Sequence, residues 1–161
     1  MTLHIPPQEH QRTAADPAIS AFVTANAGSG KTKTLIDRVA RLLLAGAEPE
    51  TILCVTYTKA AAAEMQRRLF ARLGGWSVMA DDLLTRELAD LEGRPKDSYD
   101  DRRLSEARAL FARALETPSG LKIQTIHAFC EKLLRRFPLE AGISPGFRVM
   151  DDAAAASVAA A

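Results

Sequence analysis

The sequence has few cysteines and no long apolar run, and both shortages narrow the class of protein. Its two cysteines, Cys54 and Cys130, stand outside any CxxC spacing, so neither a disulfide framework nor a zinc site is expected. The longest apolar runs are only a few residues, far below the roughly 20 needed to cross a bilayer. The first residues lack the basic segment and apolar core of a secretory signal. We therefore expect a soluble protein of the reducing cytoplasm.

The chain also has almost no net charge. It carries 21 basic and 20 acidic residues, a balance of +1, which argues against a general polyanion binder. The charges are nevertheless segregated, because residues 59–72 and 122–136 each have four basic residues against one acidic, whereas 81–106 has nine acidic residues against five basic. Such blocks are usually solvated helix faces. The motifs below make this interpretation less favoured here.

The order of apolar segments predicts an α/β fold. The 161 residues, 47% apolar and 25% charged, fit one globular domain. Apolar periodicity predicts strands at 19–24, 51–56 and 121–126, and helices at 31–46, 59–73 and 129–137. Strands that alternate with helices predict a parallel sheet with right-handed crossovers. A further helical pair at about 76–118 is expected to be an insertion, and the alanine-rich tail 153–161 to be a frayed end or the start of a longer helix.

The strongest chemical signal is the segment 25–32, A-N-A-G-S-G-K-T, which follows a predicted strand and opens a predicted helix. It matches the phosphate-binding loop G-x-x-x-x-G-K-[ST] except that an alanine fills the first glycine position. The glycines allow backbone N–H groups to point at the β- and γ-phosphates, Lys31 adds a full charge, and the Thr32 hydroxyl is suited to Mg²⁺. The predicted nucleotide-binding residues are Ala25, Asn26, Ala27, Gly28, Ser29, Gly30, Lys31 and Thr32, the last two also being the candidate catalytic residues. The alternative is an ordinary glycine turn with a chance lysine.

A phosphate loop alone does not say how the triphosphate is used, since kinases, GTPases and helicases share it. Three further segments discriminate between these classes. In chain order the four are QRTAA at 11–15, ANAGSGKT at 25–32, TYTKAAAAEM at 56–65 and QTIHAF at 124–129. In this order they resemble the first motor domain of UvrD-like superfamily 1 DNA helicases, and most of all the AddA-type helicase–nuclease proteins of bacterial double-strand break repair. The resemblance extends from about Gln8 to Asp152.

The resemblance implies a RecA-like P-loop NTPase sheet, with residues 1–152 as the first part of the motor domain and 153–161 entering a further subdomain. It implies ATP and Mg²⁺ as cofactors, with Gln11, 20 residues before Lys31, reading the adenine edge through its amide. Gln8 is the competing glutamine. The residues that the resemblance places on single-stranded DNA are Thr56, Tyr57, Thr58, Thr125 and His127. From chemistry alone, a tyrosine that follows an apolar strand is more often a core residue, and a lone histidine beside apolar residues is more often a structural one.

For the whole protein, the resemblance implies ATP-dependent 3′–5′ unwinding from DNA ends in recombinational repair, a nuclease domain, a second subunit of the AddB type and a place at the bacterial nucleoid. Hydrolysis in P-loop motors needs an apolar strand that ends in Asp-Glu. The nearest imitation, at 147–152, is interrupted by Arg148 and has no Glu. We therefore interpret the chain as an amino-terminal part that does not turn over ATP alone.

Two other functions fit a phosphate loop in a chain of this length. A small phosphotransferase would use residues 76–118 as a lid over the phosphates, but the acidity of this segment would repel them. A nucleotide-gated binding module without turnover would dock a partner through the same acidic helical pair.

Overall fold

The structure of the chain, a computed structural model, describes residues 7–150 with the exception of 25, 27, 118 and 119. Within these residues it contains six α-helices and a sheet of two strands. The helices are α1 (Pro7–Ala14), α2 (Lys31–Leu44), α3 (Lys59–Val78), α4 (Asp81–Glu92), α5 (Asp101–Glu116) and α6 (Ile126–Arg136), and the strands are β1 (Leu53–Thr56) and β2 (Lys122–Thr125). Short 3₁₀ turns lie at Pro49–Thr51 and Lys96–Ser98. The predicted α/β class is confirmed, and the tail 153–161 lies outside the described residues.

The two strands lie side by side in parallel. Leu53 stands opposite Lys122, and Thr56 stands opposite Thr125. Helices α3, α4 and α5 connect the two strands, as a parallel pair requires. Because parallel strands end at the same edge, α3 and α6 both begin at that edge of the sheet.

The predicted strand at 19–24 is wrong, since this segment forms no regular structure and Phe22 is 93% exposed. A strand must hydrogen-bond to a neighbour along its backbone, and in the described residues β1 and β2 pair only with each other. The residue types at 19–24 favour strands because they pack well on a half-buried sheet surface. Phe22 packs on no such surface here.

Helices α2, α3, α4 and α5 contribute most of the buried core residues. The largest fully buried side chains include Trp76, Leu43, Leu69, Leu73, Leu84, Leu88 and Val39, which come from α2, α3 and α4. Burial of each such side chain contributes about 1.5–3 kcal/mol relative to exposure. Among the described residues no helix is long and apolar enough to span a membrane.

The predicted end of helix α3 at Leu73 is wrong. The helix continues through Gly74 and Gly75 to Val78. Gly74 lies against Phe111 of α5, where an added Cβ would come within 3.4 Å of the ring. Beyond the glycines, Trp76 is fully buried. Packing therefore overrides the low helix propensity of two glycines.

The segment 76–118 contributes to the same core as the phosphate-loop helix. Its first three residues belong to α3, and its helices α4 and α5 contribute Leu84, Leu88, Leu104 and Leu110 to the cluster formed with α2 and β1. The segment is thus structurally integral, and its assignment as an insertion stays a prediction.

Candidate nucleotide site and strand-binding edge

The loop before α2 is closed by hydrogen bonds to one carbonyl. The Asn26 oxygen accepts from the Ser29 N–H at 3.3 Å, from the Ser29 hydroxyl at 2.7 Å and from Lys31 Nζ at 2.7 Å. Gly28 has φ +80° and Gly30 has φ +87°, a region that glycine enters without a Cβ penalty. Left-handed residues of this kind build the backbone concavities that bind anions. The predicted site residues Ala25 and Ala27 lie outside the described residues.

The start of α2 is suited to an anion. Its N-cap is Gly30, which has no side chain to cap the helix. Lys31 and Thr32 stand exposed on that turn. A helix of 14 residues places a partial positive charge at this end. The amides, the ammonium group and the threonine hydroxyl are therefore together at one exposed helix start.

Gln11 of α1 touches this loop. Its Nε2 donates to the Ser29 carbonyl at 3.2 Å, and a Cβ on Gly30 would come within 2.9 Å of the same nitrogen. Gln11 and Gln8 both line a groove of about 690 Å³ that also includes Lys33. Of the two glutamines left open by the sequence, Gln11 is the one that the structure places against the loop.

Two arginines of α2 hold α1 in place, and the sequence analysis missed both. Arg41 donates to the Arg12 carbonyl at 2.8 Å. Arg38 donates to the main-chain carbonyls of Ala14, Asp16 and Ile19 at 2.6–3.2 Å. Carbonyls at the end of a helix lack intrahelical partners, so the guanidinium groups satisfy them and anchor α1 to α2. The sequence signal was only a pair of arginines three residues apart.

The residues predicted to contact single-stranded DNA lie at the edge of the sheet where β1 and β2 end. This edge is called the strand-binding edge below. Thr56 and Thr125 are partners at the last position of the two strands. Thr58 caps α3 by accepting from the Ala61 N–H at 3.1 Å, and Thr125 caps α6 by accepting from the Ala128 N–H at 3.1 Å. A hydroxyl that accepts one hydrogen bond keeps its own O–H to donate. Two predicted contact residues are thus also helix caps.

The two ring-bearing residues of this set face solvent. Tyr57 lies between β1 and α3 and is 85% exposed, so its interpretation as a core residue is wrong. His127 is exposed on the first turn of α6. Exposed Lys59 opens α3 beside them. The edge therefore combines hydroxyls, an aromatic face and two helix amino termini.

Neither cysteine is among the predicted site residues. Cys54 is buried in β1, and burial raises the pKa of its thiol, whereas Cys130 is exposed on α6. Among the described residues no group of three His, Cys, Asp or Glu side chains could hold a metal ion. The Thr32 hydroxyl is suited to be one ligand of a magnesium ion whose other ligands are largely phosphate oxygens and water.

Comparison with known proteins shows the family to which the chain belongs. Residues 7–160 match the UvrD/REP helicase N-terminal domain, and the chain belongs to this family, as the ordered motifs predicted. Over 90% of its length it is 32% identical to the A subunit of the ATP-dependent helicase/nuclease of Lactobacillus acidophilus and 34% identical to that of Lactobacillus helveticus. It is 37% identical, over 84% of its length, to the protein of the same name from Desulforudis audaxviator. The chain spans about a tenth of the length of these relatives.

Proposed function

We propose that this chain is the ATP-binding part of an ATP-dependent DNA helicase of the helicase–nuclease type, with residues 1–152 forming the first part of a RecA-like P-loop domain. The family match and the similarity to the helicase/nuclease relatives support this. The observation that carries the proposal is the loop in which two left-handed glycines precede α2, a helix that begins at Lys31 behind a glycine N-cap.

The loop residues fit a magnesium–nucleoside triphosphate. Gly28 has no Cβ to obstruct phosphate oxygens, and the ammonium group of Lys31, which donates to the Asn26 carbonyl, supplies a positive charge. Phosphate oxygens would replace that carbonyl as the partner of Lys31. The Thr32 hydroxyl would ligate Mg²⁺, and Gln11 would read the base. Bound ATP supplies the phosphoryl bond whose hydrolysis drives a helicase.

The strand-binding edge is proposed to hold single-stranded DNA. Tyr57 offers a stacking face, and the hydroxyls of Thr56, Thr58 and Thr125 can donate to phosphate oxygens, with His127 beside them. In the whole protein this contact would serve 3′–5′ movement from DNA ends during recombinational repair, together with a partner of the AddB type.

The chain by itself is proposed to bind nucleotide without turning it over. No apolar strand ending in Asp-Glu occurs in its 161 residues, and this pair holds Mg²⁺ and activates water in P-loop motors. ATP hydrolysis measured with and without single-stranded DNA tests this. Binding without hydrolysis agrees with the proposal, DNA-stimulated hydrolysis by the chain alone contradicts this part of it, and transfer of phosphate to a small acceptor would favour a phosphotransferase.

A substitution at Lys31 tests the nucleotide site. Loss of a charged hydrogen-bond donor costs about 1.5–3 kcal/mol, so Lys31→Ala is expected to weaken binding of Mg·ATP roughly 10- to 150-fold by calorimetry. Lys96→Ala, which removes an exposed lysine from a 3₁₀ turn outside the predicted site, is the matched control. Equal affinities of the two variants would remove the site assignment.

A further inference from the structure

A buried carboxylate lies on the phosphate-loop helix, outside the sites described above. Asp37 of α2 has a side chain only 9% exposed and is six residues beyond Lys31. A buried carboxylate is costly unless it is paired. One of its oxygens accepts from Lys33 Nζ at 2.8 Å, and the other accepts from Arg72 of α3.

Arg72 joins three helices. Besides its pair with Asp37, its Nε donates to Glu87 of α4 at 3.1 Å, and its guanidinium lies 5.7 Å from the ring centre of Trp76. The Trp76 indole N–H donates to the same Glu87 oxygen at 2.8 Å. The planar guanidinium fork can hold two carboxylates in fixed directions, which a lysine cannot do.

This cluster connects the two sites through rigid elements. Lys33 follows Thr32 directly, and Lys33, Asp37, Arg72 and Glu87 line the same groove as Gln11. At the other end, α3 runs unbroken from its cap at Thr58 to Arg72, about 20 Å of helix at 1.5 Å per residue. A shift of Lys33 or of α2 on nucleotide binding would therefore act on α3 through the pair of Asp37 with Arg72.

We propose that Arg72 is a positioning residue that couples nucleotide occupancy at the start of α2 to single-strand affinity at the start of α3. This rests on the proposed function. Coupling of two ligands is reciprocal, so the factor by which nucleotide changes strand affinity must equal the factor by which the strand changes nucleotide affinity. Loss of Arg72 should bring both factors toward one together.

The test uses the full-length helicase that carries this domain. Affinity for a labelled oligothymidylate is measured by fluorescence anisotropy with and without Mg·AMP-PNP, and nucleotide affinity with and without the oligonucleotide. Arg72→Gln is expected to bring both ratios close to one, while each affinity measured alone changes by less than about threefold. Arg72→Lys should give intermediate ratios, and Arg102→Gln, at an exposed ion pair on α5, should leave them unchanged.

The outcomes separate this inference from the proposed function. Wild-type protein that binds neither ligand would contradict the proposed function itself. Wild-type protein that binds both without coupling, or Arg72→Gln protein that keeps the wild-type ratio, would overturn the inference alone. Should Arg72→Gln fail to fold, Asp37→Asn removes the charge on the α2 side of the same pair, and a wild-type ratio in that variant would equally overturn the inference.

Discussion

Gln11 and Ser29, 18 residues apart, are joined by a hydrogen bond of 3.2 Å from the glutamine Nε2 to the serine carbonyl. This bond ties α1 to the phosphate loop. The same nitrogen lies only 2.9 Å from the position that a Cβ on Gly30 would occupy. Gly30 is therefore constrained twice, by its positive φ and by the amide packed against it.

Gly30→Ala is expected to damage the site as well as the fold. A non-glycine residue in the left-handed region costs about 1–2 kcal/mol, and the new methyl group would also displace Gln11. We expect a lower unfolding temperature together with a clear loss of affinity for Mg·ATP, measured by thermal unfolding and calorimetry.

Gly46→Ala is the matched control for this strain. Gly46 has φ +91° and nothing within 4 Å of an added Cβ. It should lower the unfolding temperature by a similar amount, on the order of 2–8 °C, and leave ATP affinity unchanged. If the two variants bind ATP equally well, the contact between Gln11 and the loop has no role in the site.

Tyr57→Ala is expected to weaken binding of single-stranded DNA by the protein that carries this domain. Stacking of a base on an aromatic ring contributes about 1–3 kcal/mol, which corresponds to roughly 5- to 150-fold in Kd. Tyr57→Phe keeps the ring and should retain most of the affinity. An alanine variant that binds a labelled oligonucleotide as tightly as wild type would exclude the stacking role.

Loss of the cap at Thr58 or Thr125 is expected to reduce stability. Each alanine substitution should lower the free energy of unfolding by about 1 kcal/mol, because one N–H at a helix start loses its partner. Serine keeps the hydroxyl and should keep most of this stability. Urea unfolding of the four variants measures the effect, and alanine variants as stable as wild type would contradict the capping geometry.

Gly75→Ala is expected to stabilise the protein. Gly75 lies inside α3 with nothing within 4 Å of an added Cβ, so alanine should contribute about 0.5–1 kcal/mol. Gly74→Ala should give a smaller gain, because its Cβ would be 3.4 Å from the Phe111 ring. Urea unfolding compares the two, and a destabilised Gly75→Ala protein would show that α3 does not pass through this position as a regular helix.

Local signals predicted the elements that depend on local chemistry. The glycine at 46 marks the end of α2, whose C-cap is Ala45, and the apolar runs at 51–56 and 121–126 contain the two strands. The loop pattern at 25–32 likewise marked the start of α2. For both ends of α2 the deciding interaction lies within a few residues of the signal, whereas the two apolar runs form strands because they also pair with each other.

The errors and omissions concern contacts between segments far apart in sequence. The glycines at 74 and 75 end a helix by propensity, yet Phe111 packs against one of them. Strand formation at 19–24 depends on a pairing partner, which periodicity cannot supply. The anchoring by Arg38 and the pair of Asp37 with Arg72 could be seen only once the contacts between helices were known.

An NMR titration of the ¹⁵N-labelled chain with Mg·ATP tests whether the loop before α2 binds the phosphates of ATP, because it reports on the loop amides themselves. We expect the largest chemical-shift changes at the amides of Gly28, Ser29, Gly30, Lys31 and Thr32, and no change at the amides of Gly46 and Gly142. Loop amides that keep their positions at saturating nucleotide, with the largest shifts elsewhere in the chain, would contradict it.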